Sequence, residues 1–298
     1  MSRTLLIGDS AGSWKDWLKT HLQGRDLICL DPEDALQSPP GRLTLHRGDK
    51  VAAWAFYGSL DAVRAPHSLI AGLFHLLGST SEDAVVILPS YRPTPLFRQL
   101  ATTIAEIVRP HEAFVGGQAV HLRTLAPETI EIDLNPGFDE DIRHAQRKAH
   151  WLKLIEACVP HEVLFDKVEV EGARLGSGIP FDRPLGVALY AETCGATLLL
   201  ISNDPLDDEA ISKALDTAHC GRAVAVRSDA YDGLLCAFSK QNGECFGMGL
   251  IQSVDFERRV FHVLCNAIPP APVRILRIGG LKLSLDGDEL GEIRPWQV

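Results

Sequence analysis

Residues 4–22 read TLLIGDSAGSWKDWLKTHL, and the fold of the chain turns on them. Thr4 to Ile7 is a short apolar strand. Gly8-Asp9-Ser10-Ala11-Gly12 is a tight turn. Trp14, Trp17, Leu18 and Leu22 then recur at helical spacing and supply a buried face. Strand, glycine-bearing turn and helix are the layout in which an α/β protein seats a phosphate on backbone N–H groups. A working phosphate loop reads G-x-x-x-x-G-K-[ST]: amides cradle the phosphates, Lys neutralises charge, and Ser or Thr holds Mg²⁺. In this chain Gly8 and Gly12 stand one residue too close together, and Ser13-Trp14 follows Gly12 in place of Lys and Ser/Thr. Lys15 comes two places late, which on a helix turns it about 200° from the required direction. Ser13 followed by Asp16 predicts a capping-box-like helix start. Gly8, Gly12, Ser13 and Lys15 are therefore the candidate anion-binding positions. The backbone component survives on sequence grounds, and the Lys and metal components do not.

The chain around this stretch is globular. It has 298 residues, of which 46% are hydrophobic and 23% charged, enough for one large or two ordinary domains. A net charge of −10 argues against sequence-independent nucleic-acid binding over a broad surface and leaves room for a local basic groove. The cysteines, Cys29, Cys158, Cys194, Cys220, Cys236, Cys245 and Cys265, form no CxxC pair. They read as reduced thiols in a cytoplasmic protein, with no zinc site. His67, His75, His111 and His144 stand without a second ligand at suitable spacing, so no metal centre is expected. The N-terminus lacks the cationic and apolar regions of a signal peptide, and no apolar run approaches the roughly 20 residues needed to span a bilayer.

Further strands are expected at Asp26–Asp31, Arg42–His46, Val51–Tyr57, Ala84–Leu88 and Glu112–Val115, with helices over Pro66–Leu77 and Pro95–Val108. Strands alternating with helices imply a parallel sheet wrapped on both faces. After the breaker Asn135-Pro136-Gly137, a charged helix is expected over about 137–158, with acids first (Asp139, Glu140, Asp141) and bases after. Arg143 and Arg147 share one face of it. That helix is either an ordinary solvated one or one that presents two guanidiniums to phosphate. Beyond it the character turns mostly β, with a strand pair near 161–172, Ala196–Ile201, a helix near 208–218, Ala223–Arg227, and short strands at 233–238, 245–251, 260–265, 273–277 and 281–285. Two domains are expected, 1–158 and 159–298.

Gly8-Asp9-Ser10 also matches the nucleophile block of GDSL-type hydrolases, which pair that Ser with a late Asp-x-x-His. Asp216-Thr217-Ala218-His219 fits as text. Their intermediate Gly and Asn oxyanion blocks are not evident, and Asn203 is a poor substitute.

The order of motifs resembles the polynucleotide 5′-hydroxyl kinases of the Clp/Grc type. The resemblance lies in Asp31-Pro32 followed by Pro39-Pro40-Gly41, in Phe56-Tyr57-Gly58-Ser59 before Pro66-His67-Ser68-Leu69, and in Ile107-Val108-Arg109-Pro110-His111. It continues through the Arg143/Arg147 helix, Leu175-Gly176-Ser177-Gly178-Ile179-Pro180, and the strands around Tyr231-Asp232-Gly233, Gly247-Met248-Gly249 and Val254-Asp255-Phe256. It implies a kinase-like α/β domain with a smaller β-rich C-terminal domain. It further implies Asp31 in the place of the general base and Arg143 and Arg147 on a phosphate-facing lid. The departures fall on the catalytic motifs: the loop lacks its Lys and Ser/Thr, the acidic loop continues Glu33-Asp34, and the strand at 84–88 ends Leu88-Pro89-Ser90 without a Walker B acid. The expectation is a degenerate homologue, without ATP or Mg²⁺, that serves as a binding or assembly subunit. A protein partner, and RNA through a local basic helix, are its expected ligands. The alternatives are an active divergent kinase using ATP and Mg²⁺ with Lys15 or a lid arginine, and a hydrolase using Ser10.

Overall fold

The computed structural model describes residues 3–34, 36, 39–81, 83–134, 139–186, 188–266, 273–294 and 297. The expected breaker Asn135-Pro136-Gly137 lies outside them. Contacts divide the chain into two compact units, Met1–Trp151 and Leu152–Val298.

In the first unit the elements run β1 (Arg3–Ile7), α1 (Lys15–His21), β2 (Asp26–Cys29), β3 (Arg42–Arg47), β4 (Lys50–Phe56), α2 (Pro66–Gly78), β5 (Ala84–Ile87), α3 (Pro95–Val108), β6 (Glu112–Gly116) and β7 (Glu128–Ile132). Helix α4 (Glu140–Glu156) begins in this unit and runs past its boundary. Among the described residues the strands form one sheet in the order β4-β3-β2-β5-β1-β6-β7. β1 lies between β5 and β6, parallel to both, with Leu5 opposite Val86 and Ala113. β2 joins β5 and β7 joins β6 in the same direction, and β3 and β4 add an antiparallel hairpin.

The near-continuous apolar runs of β1, β2 and β5 follow from burial on both faces. Leu5, Ile7, Ile28, Leu30, Val86 and Leu88 turn to one core, which α2 and α3 complete with Leu69, Leu73, Leu76, Phe97 and Ile104. The alternate residues Leu6, Leu27, Cys29, Val85 and Ile87 meet Trp14 and Trp17 on the other face. Pro66 and Pro95 start α2 and α3 at positions where a missing N–H costs nothing, and Thr94 caps α3 by accepting from the Phe97 amide. Gly72 lets α2 approach the sheet, because a Cβ there would lie 2.6 Å from Leu43 Cδ1.

The second unit holds β8 (Val159–Leu164), β9 (Glu169–Glu171), β10 (Ile179–Pro180), β11 (Tyr190–Cys194), β12 (Thr197–Ser202), α5 (Asp208–Ala218), β13 (Arg222–Arg227), β14 (Leu234–Ser239), β15 (Cys245–Asp255), β16 (Val260–Cys265), β17 (Ile275–Leu283) and β18 (Glu289–Glu292). One sheet runs β10-β11-β12-β13, and a larger one runs β18-β17-β14-β15-β16-β8 with β9 alongside β17. Leu198, Leu200 and Ala191 pack with Ala214 of α5. On the opposite face Leu199 and Ile201 join Phe238, Ile251, Phe261 and Leu276 of the larger sheet. The unit is therefore helix, mixed small sheet and larger, mostly antiparallel sheet in layers.

Three expectations are corrected here. The segments near 161–172 do not pair with each other, because β8 joins β16 and β9 joins β17. The short strands at 273–277 and 281–285 are one strand, β17, whose Gly280 lies where the Ile293 carbonyl approaches too closely for any side chain. Strands β7, β11 and β18 are not among the expected strands, and Ile179–Pro180, which reads as part of a loop, is the short strand β10. Among the described residues no helix is long and apolar enough to cross a membrane.

Candidate functional site

The carboxyl ends of β1, β2 and β5 meet at one edge of the first sheet, the edge where open parallel sheets place their sites. β1 feeds the loop from Gly8, which turns into a single 3₁₀ turn over Ala11–Trp14 and then α1. β2 feeds Asp31 to Asp34, and β5 feeds Ser90 to Arg92.

The loop amides are occupied by the chain itself. The Ala11 N–H donates to Asp31 Oδ2 at 3.0 Å, and the Gly12 N–H donates to Asp34 Oδ2 at 2.6 Å. Asp31 is 1% exposed. Its Oδ2 also accepts from Ser90 Oγ at 2.7 Å, and its Oδ1 accepts from the Glu33 amide. Burial and then the neighbouring Asp34 charge push the Asp31 carboxyl up to about 7, against the pull of these donors.

Trp14 is fully buried, and its Nε1 lies 3.2 Å from where a Gly8 Cβ would stand. It meets Trp17 edge-on at 6.3 Å, and Trp17 packs on Phe114 at 5.0 Å. The loop is thus pinned from below by an indole and from the side by two carboxylates. The expected capping box does not form. Lys15 opens α1, Ser13 Oγ donates to the Ser10 carbonyl at 2.6 Å, and Asp16 pairs with Lys19. The N-cap of α1 is Trp14, so Ser13, inside the preceding 3₁₀ turn, stands one position too early to cap the helix. Lys15 is exposed.

Beside the loop lies a charged cluster. Arg147 Nη1 stands 3.1 Å from Glu33 Oε1, Arg143 Nη1 3.9 Å from the same oxygen, and Arg92 Nη2 3.6 Å from Glu33 Oε2. Glu140 pairs with Arg143 and, at 3.3 Å, with Arg147. Arg92 also reaches Asp61 at 3.7 Å. Arg147 is 8% exposed, which is rare for an arginine and follows from its position on the inner face of α4 with Trp151 and Leu154. Asp9, Ser10, Glu33, Ser90, Arg92 and Arg143 help to line a cavity of about 490 Å³.

Gly12, Ser13, Asp31, Arg143 and Arg147 therefore gather at this edge, and Lys15, exposed at the start of α1, is not among the described residues lining the cavity. Glu33, Asp34, Ser90 and Arg92 are its unrecognised members. Only the acidity of Glu33-Asp34 carried a trace of them in the sequence. For the hydrolase alternative, Ser10 lies in the first unit, and none of the described residues lining its cavity is a histidine. His219 lies in the second unit as the left-handed end of α5, its amide donating to the Asp216 carbonyl. Among the described residues no group of His, Cys, Asp and Glu is placed to hold a metal ion.

No protein-family model matches the chain, and no curated protein sequence matches it. Solved structures do. A chain from a structure of the extended Pcf11p–Clp1p interface, described together with the basis of ATP loss in a point mutant, aligns with a TM-score of 0.54 at 10% identity, over 94% of this chain and 75% of that one. A chain from the wild-type Clp1p–Pcf11p complex aligns with a TM-score of 0.50 at 12% identity, over 94% and 74%. The α/β unit with parallel strands and the β-rich second unit thus form a Clp1p-like fold, as the motif order led one to expect.

Proposed function

We propose that this protein is a catalytically silent relative of the polynucleotide 5′-hydroxyl kinases that works as a binding or assembly subunit. The observation that carries it is the Gly12 amide, held at 2.6 Å by the carboxylate of Asp34. A nucleotide loop must offer such amides to a phosphate. Here the amides of Ala11 and Gly12 are spent on Asp31 and Asp34, and the Asp34 carboxylate, joined by Asp31 in its charged form, would repel a triphosphate. The chain supplies neither the Lys nor the Ser/Thr that would offset that repulsion, so these residues do not fit Mg²⁺-ATP. The resemblance implies a general base at Asp31, yet three donors within the fold fix its two oxygens. Its role in this reading is to hold the loop.

A protein partner is the favoured ligand. The structural neighbours are chains from complexes with Pcf11p, and the net charge of −10 suits a protein better than a nucleic-acid backbone. The test is calorimetric titration of Mg²⁺-ATP together with a 5′-phosphorylation assay on an RNA oligonucleotide. No heat and no turnover are expected. Robust turnover that Asp31→Ala abolishes would overturn the reading.

A further inference from the structure

Three guanidiniums in the first unit converge on one carboxylate. Arg147, Arg92 and Arg143 reach Glu33 at 3.1, 3.6 and 3.9 Å, two of them on the same oxygen. A carboxylate offers one negative charge and two oxygens. A phosphomonoester offers up to two charges and three terminal oxygens, the number these three planar donors are arranged to meet. The fit to Glu33 is incomplete: Arg143 Nε is buried and donates to nothing among the described residues. Glu140 and Asp61 take up part of the remaining positive charge from the rim. Glu33 itself is borne on the loop after β2 and faces the cavity, so its side chain can rotate out without moving a strand.

We propose that Glu33 is a built-in substitute anion, seated where a phosphomonoester dianion binds, and that such a ligand enters by displacing the Glu33 side chain. The inference rests on the reading that the protein binds and does not phosphorylate. It adds, beside the protein partner, a local anion seat within the first unit and the contact that holds that seat closed. The exchange is favourable because a dianion gains more than a monoanion from three positive charges in a partly buried site. Two sources offer the same dianionic phosphoryl group, free inorganic phosphate and the 5′-phosphomonoester end of an oligonucleotide.

The experiment titrates inorganic phosphate, a 5′-phosphorylated RNA hexamer and the same hexamer with a 5′-hydroxyl into the full chain at fixed salt. Wild type, Glu33→Gln and Glu33→Gln/Arg143→Met are compared. Glu33→Gln is expected to tighten binding of inorganic phosphate, of the phosphorylated hexamer, or of both, by about tenfold or more. Arg143→Met is expected to remove that gain, and the hydroxyl hexamer is expected to show none. Equal gains for the two phosphate ligands assign the seat to the phosphoryl group alone. A larger gain for the hexamer assigns it to a strand end. Unchanged phosphate binding in folded Glu33→Gln, or an equal gain for the hydroxyl hexamer, overturns the proposal. Glu33→Ala replaces Glu33→Gln if the latter does not fold. Failure here is separable from failure of the silent-kinase reading, because ATP turnover is scored on wild type alone.

Discussion

The amide of Gly12 and the carboxylate of Asp34 meet so closely that a Cβ on Gly12 would lie 2.7 Å from the accepting oxygen. Glycine at this position serves a contact made inside the protein.

Gly12→Ala is therefore expected to destabilise the fold by about 1–2 kcal/mol in urea unfolding. In an Asp34→Ala background the same change is expected to be close to neutral, since the colliding oxygen is gone. A double-mutant cycle with no coupling would show that the Asp34 contact does not constrain the loop.

Stability should vary with pH in a direction set by Asp31. Its carboxyl is pushed up to about 7 in the fold, against an ordinary value near 3.8, so the native state holds the proton more tightly than the unfolded chain. The stabilisation is complete at low pH and is lost as pH rises through 4 to 7. The effect is on the order of a few kcal/mol. Asp31→Asn should flatten that part of the profile, measured by denaturant midpoints between pH 4 and 8.

His46 acts in the opposite sense. Its ring is buried, hydrogen-bonded to Thr44 Oγ1 at 2.9 Å, and burial followed by the Arg42 charge lowers its pKa. The unfolded chain takes up a proton there more readily, so stability is lost as pH falls through the ordinary histidine range near 6.5. His46→Gln should remove this acid limb and leave the limb due to Asp31.

His219 ends α5 with φ of +54°, a conformation that glycine adopts without strain. His219→Gly is expected to stabilise the second unit by about 0.5–1 kcal/mol. A thermal melt checks this, and a loss of stability would mean that the imidazole makes a contact worth more than the strain.

Gly249 sits in β15 between Cys236 of β14 and Cys265 of β16, and a Cβ on it would lie 1.7 Å from the Leu264 carbonyl. The crowding atoms are backbone of Leu264 and Cys265 in β16, which cannot swing aside as a side chain can. Gly249→Ala should cost more than about 3 kcal/mol, seen as lost soluble expression or a collapsed melting transition.

Much of the fold was legible because strand burial on two faces leaves an unbroken apolar signature, as in Leu5-Leu6-Ile7 and Ala84 to Leu88. Strand β7 escaped notice because ETIEI lies at the sheet edge, where charged and apolar residues mix without a clean period. The two glycines between the expected strands 273–277 and 281–285 divide them in the sequence, which does not show that a carbonyl 13 positions beyond Gly280 needs the space. The site was half legible. The glycine turn, Asp31 and the Arg143/Arg147 face stand in the sequence at motif spacing. The partners that define their chemistry, Asp34 on Gly12 and Glu33 beneath three arginines, come from loops that only the sheet brings together.

The central place of β1 bears on how the chain comes into being. Its two neighbours are residues 84–87 and 112–115, so β1, once synthesised, waits for more than a hundred residues before both its edges are covered. During that interval Leu5, Leu6 and Ile7 are sticky and unpaired, and nascent chains of the first unit are the species that a holding chaperone would meet. Truncations ending before residue 112 should accordingly aggregate, and those ending beyond α4 should stay in solution.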